Sequence, residues 1–288
     1  MYFYSSKVIW RAIHSFNIIS LRFVNFGHMD YLEKLAKKVD GNPASIIVMR
    51  QQVEQKLPAH KHEKGQLLLV VGGIVHLQTK EKDYYIPLNH YLWIPKWYAH
   101  NLMFNSQDVH ITNIYFPNDT VHPFYDELGI YPVSKLLAEM LAFSIDWYGD
   151  FIPGSWEHEF LLTLKHLLPK EELKKFSIQL PTTDDPKLNA IITYIRTNLG
   201  EPLTLELVAD HSSMSVRSLT RLFQQKLQIS FIQYVKMLRI IRSMELLKDT
   251  DMSISEISYE VGYSNISAFS NTFRQLTNMR PTEFKSML

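Results

Sequence analysis

The 288-residue chain is 46% hydrophobic and 12% aromatic with 20% charged residues, which is enough material for about two buried cores and excludes a disordered polypeptide. Its formal net charge is only +1, but twelve basic against nine acidic residues from Pro186 onward put +3 there and −2 on the rest, a mild asymmetry that permits a nucleic-acid partner. The absence of cysteine excludes a disulfide framework, thiolate metal centres and cysteine nucleophiles, and fits a reducing cytoplasm.

In chain order, residues 1–28 are rich in Tyr, Phe, Ile and Asn, with Arg11, His14, Asn17 and Arg22 interrupting every apolar stretch. None approaches the roughly 20 residues that span a bilayer, and no small-residue cleavage site follows. These residues read as an extension without a fold of its own, and no membrane partner is expected. An amphipathic segment then runs from Met29 to Val39.

From Ser45 to Phe116, short β-branched and aromatic runs alternate with turn residues. Ser45–Met49, Gln66–Val71, Ile74–Thr79, Asp83–Ile86, Tyr91–Ile94, Asn101–Phe104 and Val109–Phe116 each have strand length, and this spacing implies a sandwich or barrel. Ser134–Tyr148 and Trp156–Leu168 have helical spacing and an apolar face. Two prolines among Thr and Asp residues mark Ser177–Pro186 as a linker. The expected class is α+β in two domains: a barrel over 29–124 with helices over 125–176, the linker at 177–186, and an all-helical domain over 187–288.

In that last domain, Lys187–Leu199 keeps Leu188, Ile191, Ile192 and Ile195 on one face. Thr204, Ser215, Ser230, Ser253 and Asn265 each precede a helical run, where a side-chain oxygen can satisfy an orphan amide. Two stretches share one grammar of short helix, tight turn and capped second helix. The second helices keep Leu219, Leu222 and Phe223, and Phe269 and Phe273, inward. Outward stand Val216, Arg217, Ser218, Thr220 and Arg221 on one, and Ile266, Ser267, Ala268, Ser270, Asn271 and Arg274 on the other. An Arg fork suits guanine and an Asn amide suits adenine in a major groove, while a small helical bundle with solvated polar faces would show the same periodicity.

The string ISEISYEVGYSNISAFSNTFRQLTNMRPTEF, Ile254 to Phe284, closely resembles the signature of the AraC/XylS family of transcription regulators. Gly262, Tyr263, Phe269, Phe273, Arg274, Pro281 and Phe284 match place by place. Ala209, Met214, Ser215, Arg217, Leu219, Arg221 and Phe223 resemble the family's first unit. Asn278 stands where that family usually has glycine, and Asn tolerates the left-handed conformation; Ser258 and Met244 replace usual alanines. The resemblance implies that Arg217, Thr220 and Arg221 face bases in one groove and Ile266, Ser267 and Asn271 in the next. Phe231–Leu247 spans about 26 Å at 1.5 Å per residue, which allows two successive major grooves about 34 Å apart. On it, Arg239 is open to an internal ion pair or a DNA contact.

In the strand-rich half, His60, His62, Gln66 and Gly73 precede Pro95, Trp97 and His100. Alternate residues of one strand point the same way, so His60 and His62 can face inward together. This resembles the cupin fold, with Gln66 in place of the usual acid and Trp97 in place of a usual glycine. Three imidazoles suit a divalent metal; hydrogen bonding inside the barrel or to a small-molecule effector is the alternative. Tyr84, Tyr85, Trp93, Trp97 and Tyr98 are expected in the core, on its rim or at an effector pocket. The helices of 125–176 either pack on the barrel or form a homodimer face. The expected function is a non-enzymatic, effector-responsive regulator of double-stranded DNA, with RNA polymerase as a further partner. A cupin metal enzyme with an accessory DNA-binding domain, or a constitutive DNA-binding protein whose barrel only dimerises, are the alternatives.

Overall fold

The computed structural model describes residues 28–52, 57–71, 75–79, 82–86, 90–104, 110–119, 121–171 and 178–286. The reading of 1–28 as an extension falls outside them, except at His28, which opens the first helix. The chain divides into two compact units. One takes the described residues up to Gln78 and from Ile86 to Glu171; the other takes Thr79–Tyr85 and the chain from Ile178 to Ser286.

The first unit begins with α1 (His28–Asp40) and β1 (Ile46–Gln52), then β2 (Leu57–His60), β3 (Gly65–Val71) and β4 (Val75–Gln78). After β6 (His90–Ile94), β7 (His100–Phe104) and β8 (His110–Phe116) come α2 (Pro123–Asp126), β9 (Gly129–Pro132), α3 (Lys135–Phe143), β10 (Gly149–Phe151) and α4 (Trp156–Leu167). One antiparallel sheet runs β10-β1-β8-β3-β6-β9, and β4 and β2 flank β7 in a second.

Period-2 alternation explains why the large sheet is covered on both faces. Ile46 and Val48, Leu67 and Leu69, Tyr91 and Trp93, and Ile114 and Phe116 pack against Leu137, Ala138 and Leu141 of α3 and Leu161 and Leu164 of α4. The intervening Ile47, Met49 and Tyr115 pack on Leu35 and Val39 of α1. Sheets buried on both faces read as nearly continuous apolar runs, as β3 and β6 do. The expected barrel is not what forms: the two sheets are not closed into one, because β9 pairs with β6 and β10 with β1 at the edges of the large sheet, and helices seal its outer face instead.

The second unit contains β5 (Lys82–Ile86) through Tyr85, β11 (Gln179–Pro181), α5 (Pro186–Thr197), α6 (Leu205–His211), α7 (Val216–Leu227), α8 (Phe231–Asp249), α9 (Ile254–Glu260), α10 (Ile266–Thr277) and α11 (Pro281–Lys285). Each expected cap is made. The hydroxyls of Thr204, Ser215, Ser230 and Ser253 accept from the amides of Leu207, Ser218, Gln233 and Glu256 at 3.2 Å, and Asn265 Oδ1 accepts from Ser267 at 2.7 Å. Such caps are each worth about 1 kcal/mol. Phe223, Phe269, Phe273 and Phe284 are buried, each contributing about 1.5–3 kcal/mol relative to exposure. Asn278 ends α10 in the left-handed conformation at φ 60°, as expected of the glycine replacement, and Gln228 ends α7 the same way at φ 57°.

Candidate nucleic-acid interface and histidine cluster

Capping and burial together fix which sides of α7 and α10 face outward. Leu219, Phe223 and Leu227 are the buried stripe of α7, and Phe269, Phe273 and Thr277 that of α10. Val216, Arg217, Thr220 and Arg221 on α7 are exposed, as are Ile266, Ser267, Ala268, Asn271 and Arg274 on α10. Two hydroxyls are committed locally. Ser218, half-buried, sits 2.9 Å from the Ser215 hydroxyl and belongs to the cap; Thr220 donates to the Val216 carbonyl at 2.9 Å. Arg217 and Arg221 have no carboxylate within ion-pair distance among the described residues, so both guanidinium groups are available to an external acceptor.

The 19-residue α8 is roughly 28 Å long. Arg239 on it makes an internal contact, to a carbonyl in place of the carboxylate of an ion pair. Its guanidinium donates to the Glu201 carbonyl at 3.0 Å and lies 5.6 Å from the Tyr263 ring centroid, with burial lowering its pKa. Arg242 pairs with Glu245 at 2.9 Å, and Lys236 is exposed.

In the first unit, β2 and β7 bring His60 and His100 into register, and His62 follows two residues after β2. Their rings lie 4.4 Å (His60 to His100), 5.4 Å (His62 to His100) and 6.1 Å (His60 to His62) apart by centroid, and one nitrogen from each fits within a 4.8 Å group. The backbone sets the tautomers. Nδ1 of His60, His62 and His100 meets the carbonyls of Pro58 at 2.9 Å, Lys64 at 2.6 Å and Tyr98 at 2.8 Å. Carbonyls only accept, so each Nδ1 carries the proton and each Nε2 keeps a lone pair.

His100 Nε2 is buried without a hydrogen-bond partner among the described residues. Burial, then the neighbouring His60, lowers the His100 pKa to about 3. Burial also lowers His60 and His62, so the three rings are neutral acceptors at physiological pH.

Gln66 on β3 completes the group. His62 Nε2 lies 2.8 Å from its amide, which in turn lies 2.7 Å from Asn113. With the Gln66 oxygen toward His62, both ring nitrogens of His62 face oxygen, which would demand an imidazolium that burial opposes. Turning over the Gln66 and Asn113 amides removes the conflict at constant shape: Gln66 Nε2 then donates to His62, and Asn113 Nδ2 to Gln66. Trp97, at the position read as a usual glycine, adopts φ 59°. Its amide donates to the His62 carbonyl at 2.8 Å, so a strained turn is tied to the cluster. Trp97 is exposed and Tyr98 half-buried, whereas Trp93 is in the core and Tyr84 and Tyr85 are buried in the second unit. The contributions of Asn113 and of the three carbonyls carried no signal in the sequence.

A family profile described as "Helix-turn-helix domain" matches residues 208–287. The chain is similar to the HTH-type transcriptional regulator GbdR of Pseudomonas aeruginosa, at 38% identity over 101 residues, 35% of this chain and 28% of that protein. It is also similar to the HTH-type transcriptional activator RhaS of Salmonella arizonae, at 32% over 114 residues, 39% of this chain and 41% of that one. The chain thus spans less than half the length of these curated relatives. A solved AraC-type transcriptional regulator from Chromobacterium violaceum is 35% identical over 35% of this chain and 90% of its own, with a TM-score of 0.34.

Proposed function

We propose that this chain, which carries an AraC-type helix-turn-helix domain, is a transcription regulator that reads two successive major grooves with α7 and α10 and senses an effector or metal ion at the histidine cluster. The observation that carries the first part is the pair of capped helices whose outward residues, Arg217 and Arg221 on one and Ser267 and Asn271 on the other, stay exposed. The test is selection of bound duplexes from a random pool by the full-length protein. Enrichment of a bipartite motif with elements about 10–10.5 bp apart is expected; enrichment of no motif, or of one short element only, would sink the two-groove reading.

One nitrogen from each of His60, His62 and His100 lies within a 4.8 Å group, and each ring is oriented by a backbone carbonyl; a divalent ion such as zinc, displacing the Gln66 contact of His62, would find there a three-imidazole donor set with outer support. Gln66, whose amide bonds His62 and Asn113, brings no charge where a carboxylate would. His60, His62 and His100 would hold the ion, and it would supply positive charge that orders this end of β2 and β7. Wild-type protein dialysed against zinc and then buffer is expected to retain it stoichiometrically, and His62→Ala to lose it. Equally negligible metal in both would leave an organic effector as the occupant.

A homodimer is the second element of this reading. Leu136, Phe143, Tyr148, Ile152 and Trp156 are exposed beside α3 and α4, and Phe143 packs on Trp147, Trp156 and Phe160. A clustered apolar surface of this kind marks an interaction face; a second copy would present two DNA-binding domains to repeated sites. Sedimentation should find a dimer that Phe143→Glu converts to monomer; a monomeric wild type would end the idea. RNA polymerase is the partner through which such a bound regulator would act.

A further inference from the structure

The segment Thr79–Tyr85 belongs to the second unit, although the chain on both sides of it belongs to the first. Within the second unit β5 pairs antiparallel with β11, matching Lys82 to Pro181, Asp83 to Leu180 and Tyr84 to Gln179. The Asp83 carboxylate, almost wholly buried, lies 4.0 Å from the Arg196 guanidinium of α5. Arg196 in turn hydrogen-bonds Tyr234 of α8, and the Tyr234 ring meets Phe223 edge-on at 5.7 Å. Phe223 is the buried anchor of α7, the helix that carries Arg217 and Arg221.

In the first unit, the end of β4 is tied to the histidine cluster. Gln78 pairs with Asn101 in register, and the Asn101 amide donates to the Gln78 side-chain oxygen at 3.1 Å. Asn101 follows His100 directly, and Thr79 follows Gln78 directly. His100 and Thr79, the start of that segment, are thus linked by two peptide bonds and one side-chain hydrogen bond.

We propose that β5 is the element coupling the histidine cluster to the first reading helix, with Asp83 and Arg196 as its positioning residues. This rests on the reading of the cluster as a sensing site. Coupling needs a contact whose strength differs between two states, and the buried Asp83 carboxylate, 4.0 Å from the solvent-exposed Arg196 guanidinium, is a pair that can tighten or separate. Typical couplings between sites change affinity about 5- to 150-fold.

The test measures binding of the full-length protein to its selected duplex by fluorescence anisotropy, with and without zinc. Wild type is expected to change affinity at least about fivefold on adding zinc, in either direction. Asp83→Asn and Arg196→Gln should bind zinc and DNA yet lose that response. A response in both variants equal to wild type, or a zinc-loaded wild type with unchanged affinity, overturns the proposal. If wild type takes up no zinc, the metal reading of the cluster fails instead, and a second measurement decides the coupling. Asn101→Ala is expected to shift DNA affinity in the wild-type background and not in Asp83→Asn; equal shifts in the two backgrounds refute it.

Discussion

Gly262→Ala is expected to destabilise the helical unit by about 2–5 kcal/mol, a left-handed penalty plus overpacking, and to abolish DNA binding at temperatures the wild type tolerates. Gly262 closes the turn between α9 and α10 at φ 84°. A Cβ there would fall inside van der Waals contact of the Leu199 carbonyl and the Arg239 guanidinium. Neither can yield cheaply: the first is backbone, and the second is held by the Glu201 carbonyl and the Tyr263 ring. Gly154 is the control, since at φ 90° a Cβ would meet nothing within 4 Å, so Gly154→Ala bears the conformational term alone. Thermal unfolding of the two variants separates the effects. At roughly 4–8 °C per kcal/mol for a domain of this size, Gly262→Ala should unfold at least about 10 °C below wild type, and a loss no larger than that of Gly154→Ala would refute the packing argument.

Arg221→Ala is expected to weaken binding to the selected duplex by about 1–3 kcal/mol and to relax preference at one base pair. Arg221 lies one turn beyond Arg217 on the exposed face of α7, and no internal carboxylate competes for its fork. The α10 face, with Ile266, Ser267, Ala268 and Asn271 outward, offers one amide and little charge, so Asn271→Ala should cost less. Binding curves on the selected duplex and its single-base variants read this directly. A uniform loss across all variants, with the salt slope reduced by about one, would make Arg221 a phosphate contact.

How far the chain could be read in advance follows the range of the interactions involved. Helices α5 to α10 were predicted within two residues at each end, because a capping side chain acts three residues away and a 3.6-residue stripe declares its own inward face. β2, β9, β10 and β11 were not foreseen. Each is three or four residues long, too short for a visible alternation. β11 also lies in a stretch read as linker and is a strand through pairing with β5, about ninety-five residues earlier. Strand spacing implied a sandwich or barrel and the cupin resemblance favoured the barrel, but neither says which edges will pair.

The same division runs through the candidate sites. The outward residues of α7 and α10 were named in advance since local periodicity decides exposure on a capped helix. His60, His62, Gln66 and His100 could be named as a set. What holds that set in place was invisible: the carbonyls of Pro58, Lys64 and Tyr98 that fix each tautomer, the Gln66–Asn113 amide pair, and the strained Trp97 turn. The pairing of Asp83 with Arg196 was invisible as well, joining residues more than a hundred positions apart. Sequence by itself thus determined the double helix-turn-helix and its outward faces, whose causes act within one helical turn. Tertiary structure decided the open sheets, the convergence of the three imidazoles and the docking of β5 into the helical unit, since each depends on which distant backbone groups satisfy one another once buried.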